Sequence, residues 1–376
     1  MDVPSRLGAY YFFYFTYVGA FVPYFSLWLA AQGFGAAQIA MVLAMPQLAR
    51  IFAPTLWGWL ADHTGRQREV VILSAFAVAA GFASIFAVRG AEAIAIVLFL
   101  ASALSAGAMP LVEATTLATL RGGAGNYGPI RLWGSIGFIF AVLGTGAWLD
   151  RAGVGDVLPI VLGLALLVCV AAIGVPRGVR HEVGQGAERI FAVLWRGEVM
   201  ALFAAGMCMA VAHGAMYAFY SIHLEDAGYS KSVIGALWTL GVVAEVVVFL
   251  RLPQLMRRFS LRHLLIASFA CAVLRFLAIG WGVEWLAVLA AAQLLHAATF
   301  GAYHAASIAA VHRLFPGRMA GRGQTIFSSL SYGLGGAIGT LLAGWSWVAL
   351  GPSFSFGVSA LFGAAGAGLV AWKVRV

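Results

Sequence analysis

Gly58-Trp59-Leu60-Ala61-Asp62-His63-Thr64-Gly65-Arg66-Gln67-Arg68 is a polar, charged stretch between two long apolar runs, in a 376-residue chain that is 62% hydrophobic. Its two glycines, Gly58 and Gly65, allow a tight turn and a close approach of neighbouring helices. Asp62 is placed to cap or charge-pair a helix end, and Arg66 and Arg68 to hold the turn at a membrane surface. The composition around this stretch fixes its setting. Only 10% of the residues are charged, against about a quarter in soluble domains, and the mean hydropathy is +0.93. Such a chain cannot build a water-facing surface, so an all-α integral membrane protein is expected. Its 46 glycines suit helix packing in lipid, where small residues let backbones touch.

A membrane span needs about 20 apolar residues. Twelve such runs are read at 8–31, 37–60, 69–88, 92–120, 128–149, 154–175, 198–223, 232–252, 263–281, 285–312, 324–348 and 353–372. The first is too long and too aromatic for a cleaved leader, and is read as a retained span. The longest polar stretch, 176–197, separates six runs from six. The predicted domains are therefore 1–175, a 176–197 linker, and 198–376. A weak internal repeat agrees with this. Leu48-Ala49-Arg50-Ile51 aligns with Val243-Ala244-Glu245-Val246 at a shift of 195 residues, and the loop after it recurs as Arg257–Arg262, basic but without the acid or the glycines.

The stretch 58–68 resembles the loop between the second and third helices of the major facilitator superfamily, G-x-L-A-D-x-x-G-R-x-R, with every key position matched. The resemblance implies twelve helices in two pseudo-symmetric six-helix halves. It also implies a gating role for Gly58, Asp62, Gly65, Arg66 and Arg68.

The net charge of +9 raises the question of a polyanionic partner. Its distribution argues against nucleic acid. Of the 23 Lys and Arg, eighteen fall on one side of the spans, only Arg89, Arg151 and Lys231 on the other, and Arg50 and Arg275 within spans. That is the positive-inside pattern, which places both termini in the cytoplasm of a bacterial-type inner membrane. Cys169, Cys208 and Cys271 lie in apolar runs without a C-x-x-C spacing, so neither a disulfide nor a metal site is expected. No hydrolase, zinc-protease, P-loop or dinucleotide motif falls on a loop, and no loop could hold a catalytic domain. An enzyme is not expected, and no cofactor.

Ionisable groups inside the bilayer cost several kcal/mol each and are functional candidates by default. The candidates are Arg50, Glu113, Arg131, Glu245 and Arg275, with His213, His296 and His304 as further titratable groups. Run one also carries Tyr10, Tyr14, Tyr17, Phe21, Tyr24 and Trp28 on one helical face. Packing accounts for such a face as well as ligand stacking does. On the ligand reading, Tyr17 and Tyr24 are the members expected to meet a flat aromatic ligand.

Pro110-Leu111-Val112-Glu113-Ala114 and Tyr127-Gly128-Pro129-Ile130-Arg131-Leu132-Trp133-Gly134-Ser135 resemble the matching regions of lactose permease and of phenylpropionate-type permeases, with Glu113 and Arg131 eighteen residues apart. The resemblance implies that Arg131 anchors substrate with Glu113 as its ion-pair partner, Trp133 belonging to the same run. An arginine's planar fork suits a carboxylate or paired hydroxyls. Leu295-His296 followed by Thr299 resembles the tenth helix of lactose permease, except that Thr299 stands where the family has a carboxylate. Proton carriage is therefore expected at Glu245, set by Arg275 and His296. The runs His296–Ala306, Gly321–Gly336 and Leu48–Phe52 resemble the phenylpropionate branch.

The function expected is a proton-coupled symporter importing a small aromatic carboxylate by alternating access, with Arg131, Glu113, Arg50, Tyr17, Tyr24 and Trp133 around the substrate. A sugar or nucleoside symporter is the alternative; an exporter is a third reading, weakened because the Gly- and Pro-rich fifth-helix pattern of proton antiporters is not seen after Arg131. The partners expected are a small-molecule substrate, protons and the lipid bilayer, with a monomer as the working unit.

Overall fold

Among the described residues of the computed structural model, 2–119, 127–177 and 190–376, twelve helices are long and apolar enough to cross a membrane. They are span one Val3–Ala31, two Ala36–Thr64, three Gln67–Ile85, four Ala91–Thr119, five Tyr127–Ala152 and six Val154–Ile173. Span seven is Gly197–Asp226, eight Lys231–Arg258, nine Leu261–Trp281, ten Leu286–Leu314, eleven Ala320–Leu350 and twelve Pro352–Lys373. Each overlaps the run read from the sequence. The chain forms two compact units, Met1–Val183 with Ser230–Ala236, and Gly184–Tyr229 with Leu237–Val376. The linker read at 176–197 lies mostly outside the described residues; Ile190–Leu194, at its far end, is a short helix.

Lipid inverts the usual sorting of side chains, because helices need only satisfy their own backbones and may show apolar surface outward. Phe140, Val170 and Leu250 are accordingly 67%, 68% and 75% exposed. In the first unit, span one packs along spans five and six. The crossing with span five is close because it is built on glycine. A side chain at Gly19 would strike the Phe138 carbonyl, and one at Gly137 the Phe12 carbonyl. In the second unit, spans seven and nine pack on span twelve, and span seven also packs on span eleven. Gly335 sits against Met207 and Ala210, and Gly339 against Val211 and Gly214, so this glycine pair packs inside the bundle.

The stretch that opened the reading is less of a loop than its composition suggests. Helix Ala53–Thr64 runs through Gly58 and Asp62, and the turn is confined to Gly65 and Arg66. Only Gly65 is left-handed, at φ 67°, where it ends the helix. Gly58 has open space beside it, and Asp62 neither caps a helix nor forms an ion pair among the described residues. Those two expectations are corrected: both positions are helical because a polar stretch at a helix end can continue the helix into the headgroup region. Arg66 is exposed, and its backbone N–H donates to Thr64 Oγ1 at 3.3 Å. Arg68 reaches furthest, donating from Nε to the Val175 carbonyl at 2.9 Å and from Nη2 to Ile173 at 2.6 Å. It thereby supplies donors to the open C-terminal carbonyls of span six.

Candidate transport site

Breaks in the spans position the polar groups. Span two is interrupted at Arg50-Ile51-Phe52, between Pro46 and Pro54, since proline removes a donor and crowds the preceding turn. Span four breaks at Ala106-Gly107, where the absent side chain of Gly107 admits Trp57, whose Nε1 donates to the Ala103 carbonyl at 2.7 Å. Glu113 follows this break by less than two turns, and Arg131 lies in the second turn of span five.

The Arg131 guanidinium carbon stands 4.2 Å from the centre of the Phe15 ring and 5.6 Å from that of Tyr11. This is cation–π geometry, worth about 0.5–2 kcal/mol depending on hydration. Gly134, one turn on, creates the slot, because a side chain there would collide with Arg131 Nη1 and Phe15. Glu113 is half-buried and lies within electrostatic reach of Tyr11, Tyr14, Tyr127 and Arg131. It does not form the expected ion pair: no contact of 4.0 Å or less joins it to Arg131, whose charge lies over ring faces instead. The acid and the base thus lie within electrostatic reach of each other without forming an ion pair. Arg50 is exposed, donates to Gln47 Oε1 at 3.1 Å, and lies within electrostatic reach of Tyr14 and Tyr17. Tyr17 stacks on Phe21 at 6.1 Å and meets Phe82 edge-on at 5.7 Å.

Two expected members of this cluster do not join it. Tyr24 is fully buried and donates its hydroxyl to the Val142 carbonyl at 2.7 Å, so it fastens span one to span five. Trp133 is two residues from Arg131 and therefore on the opposite side of the helix. It lies against Gly8 and Phe12 and is 51% exposed. Phe15, Tyr11 and Gly134 do belong to the cluster. The first two could have been found from the i, i+4 spacing with which they face one cation; Gly134 carried no signal beyond its place in the run.

The second unit holds a separate polar cluster. Span seven breaks at His213, which is buried, with Nδ1 donating to the Met209 carbonyl at 2.8 Å. Glu245 of span eight faces His296 of span ten, carboxylate to Nε2, at 3.5 Å. Arg275 of span nine is wholly buried and makes no ion pair with Glu245 within 4.0 Å. Its Nη1 donates to Thr299 Oγ1 at 3.1 Å, and its Nη2 to Gln293 Oε1 at 3.1 Å and Met216 Sδ at 3.7 Å. Thr299, in the place of the family's carboxylate, is the reason: the arginine finds neutral acceptors on span ten, leaving the acid to the histidine. Gly241 lets span eight approach closely, since a side chain there would press on Gln293 Oε1 and His296.

Span ten is π-helical over Ala297–Ala302 and span eleven over Ser329–Gly335. Such wide turns are uncommon and gather at functional sites. Tyr332, inside the second of these turns, meets His304, just past the first, hydroxyl to Nδ1 at 3.0 Å. The rings of His296, Phe300 and His304 stack in sequence, at 5.3 and 6.3 Å. Gln293 was missed because it carries no charge, its one signal being a polar side chain in an apolar run; the π-helical turns gave none.

Twelve spans with a charged, partly unneutralised cluster in each unit define a multi-pass membrane protein built to handle a polar solute. The chain belongs to the MFS_1 like family, whose model matches residues 5–358, and with it to the major facilitator transporters. It is 31% identical over 365 residues to the "Probable 3-phenylpropionic acid transporter" of Escherichia coli (strain K12), covering 91% of this chain and 90% of that one. To the maltose permease of Geobacillus stearothermophilus it is 27% identical over 349 residues, covering 89% and 86%. The fold superposes on a mutant of the nucleoside transporter NupG with a TM-score of 0.88 at 16% identity, covering 100% of both chains. The chain is a transporter and not an enzyme.

Proposed function

We propose that the protein imports a small aromatic carboxylate together with a proton, by alternating access, across a bacterial cytoplasmic membrane with both termini inside. The observation that carries this reading is the state of Arg131: a guanidinium laid over Phe15 and Tyr11 and not neutralised by Glu113. A carboxylate would take up the fork of donors while its ring joined the aromatic wall that continues through Tyr14 and Tyr17. Arg50 is a second cation for the same anion. Glu245, facing His296, is the proton carrier, the only acid in the sequence within spans eight to twelve. The relative named for 3-phenylpropionic acid supports the substrate class.

A second reading is a neutral hydroxylated substrate, a sugar or nucleoside, bridging Arg131 and Glu113. Two charged groups within electrostatic reach of each other but not paired favour it, as do the maltose and nucleoside carriers among the similar proteins.

Uptake of labelled 3-phenylpropionate into proteoliposomes separates the two. Arg131→Gln is expected to abolish uptake while leaving membrane insertion intact, with the thermal midpoint lowered by no more than the lost cation–π contact. Glu113→Gln is expected to spare carboxylate uptake and to impair a bridging sugar or nucleoside. Uptake by Arg131→Gln at the wild-type rate would overturn the assignment.

A further inference from the structure

We infer that the second unit holds a small-anion site formed by Arg275, Gln293 and Tyr220, distinct from the substrate cluster of the first unit.

The argument begins with charge. Arg275 is 0% exposed, and each of its hydrogen-bond partners is neutral: Thr299, Gln293 and Met216. A lone buried cation is costly in a low-dielectric interior and is ordinarily matched by a counter-charge. The sequence offers almost none. From Trp285 to Val376 there is no Asp or Glu at all, and the one acid within spans eight to twelve, Glu245, faces His296. His213 also lies within electrostatic reach of Arg275. Its Nδ1 donates to the Met209 carbonyl, so its other nitrogen offers a lone pair but no negative charge.

The second observation concerns hydrogen bonds. Arg275 Nε, Gln293 Nε2 and Tyr220 Oη are buried and make no well-formed hydrogen bond of 3.5 Å or less, on side chains that are 0%, 1% and 0% exposed. The three side chains are neighbours. The amide of Gln293 cannot be turned round to escape this. Arginine is donor-only, so Gln293 must present Oε1 to it, and its amide N–H is turned toward the Tyr220 hydroxyl. The result is one uncompensated cation whose Nε has no acceptor, beside an amide and a phenol that have only each other. Water would satisfy the donors and leave the charge. A compact monovalent anion satisfies both. That anion is either a halide from the medium or the carboxylate of a solute.

The test uses the purified full-length protein at constant ionic strength. Replacing chloride by gluconate, too bulky to enter, should lower the thermal unfolding midpoint by several degrees, and chloride or bromide should restore it saturably. Gln293→Glu supplies an internal carboxylate at the place of the Arg275 acceptor. This variant should keep its midpoint in gluconate and lose the halide response. Arg275→Gln should lose the response by removing the cation. If 3-phenylpropionate restores the wild type in gluconate where halide does not, and fails to do so in Gln293→Glu, the anion is a solute carboxylate. A wild-type midpoint indifferent to every anion, or a Gln293→Glu variant responding like wild type, overturns the site and leaves water as its filling. Arg131→Gln should retain the halide response, so the failure of this site and that of the proposed substrate site remain separable.

Discussion

Glu245→Gln is the most direct probe of coupling. The change keeps the shape of the side chain and its approach to His296, 3.5 Å away in the wild type, and removes only the ability to hold and release a proton. If Glu245, the one acid within spans eight to twelve, carries the proton as proposed, one proton moves per cycle. A carboxylate moving with one proton is electroneutral, so the pH gradient alone drives it. One pH unit corresponds to about 1.4 kcal/mol, or about tenfold accumulation. In proteoliposomes one unit more alkaline inside, with the membrane potential clamped, the wild type should therefore concentrate its substrate about tenfold at any clamped potential. With the potential clamped at zero, Glu245→Gln should equilibrate the substrate, to a ratio of about one, while still exchanging labelled for unlabelled substrate. Tenfold accumulation retained by the variant would show that the proton travels on another group. A wild-type ratio that grows with potential would show that more than one charge moves.

Three further substitutions test the packing. Tyr24→Phe should leave substrate affinity unchanged and cost about 1 kcal/mol of stability, through loss of its bond to Val142; a large rise in KM would return Tyr24 to the binding site. Arg68→Ala removes two charge-assisted hydrogen bonds to the end of span six, at the solvent side, and should destabilise by about 1–3 kcal/mol, read as a lowered Tm in detergent. Gly214→Ala drives a methyl group into the backbone of Gly339 and should cost about 1–3 kcal/mol or prevent folding. An unchanged Tm would mean that spans seven and eleven have room to part.

The spans were legible because membrane thickness and backbone satisfaction leave a long apolar helix as the one spanning solution for an α-chain, and its length shows directly in hydropathy. Charges inside those spans were legible for the same reason, which is how Glu113, Arg131, Glu245 and Arg275 came forward. Their pairing was not. Which acid meets which base depends on helix rotation by a fraction of a turn, and on neutral competitors such as Gln293 and Thr299 that carry no charge to announce themselves. Tyr24 and Trp133 were misplaced for a related reason. An aromatic row on one helix face does not reveal where along the row the neighbouring helix sits, and a contiguous motif does not reveal which of its members point the same way. Gly58 and Asp62 show the limit of composition at a helix end, since the residues that make turns also extend a final turn.

The wide turns of spans ten and eleven bear on the ancestry of the chain as well as its chemistry. A π-helical turn is an α-helix that has absorbed extra sequence while the faces before and after it stay in phase. Single-residue insertions and deletions, which elsewhere in a span would swing every later side chain by about 100°, can therefore be taken up within Ala297–Ala302 and Ser329–Gly335. These are the places where two transporters of this fold can differ in length by a residue and still present His304 and Tyr332 to each other, and where an alignment of their sequences should be allowed its gaps.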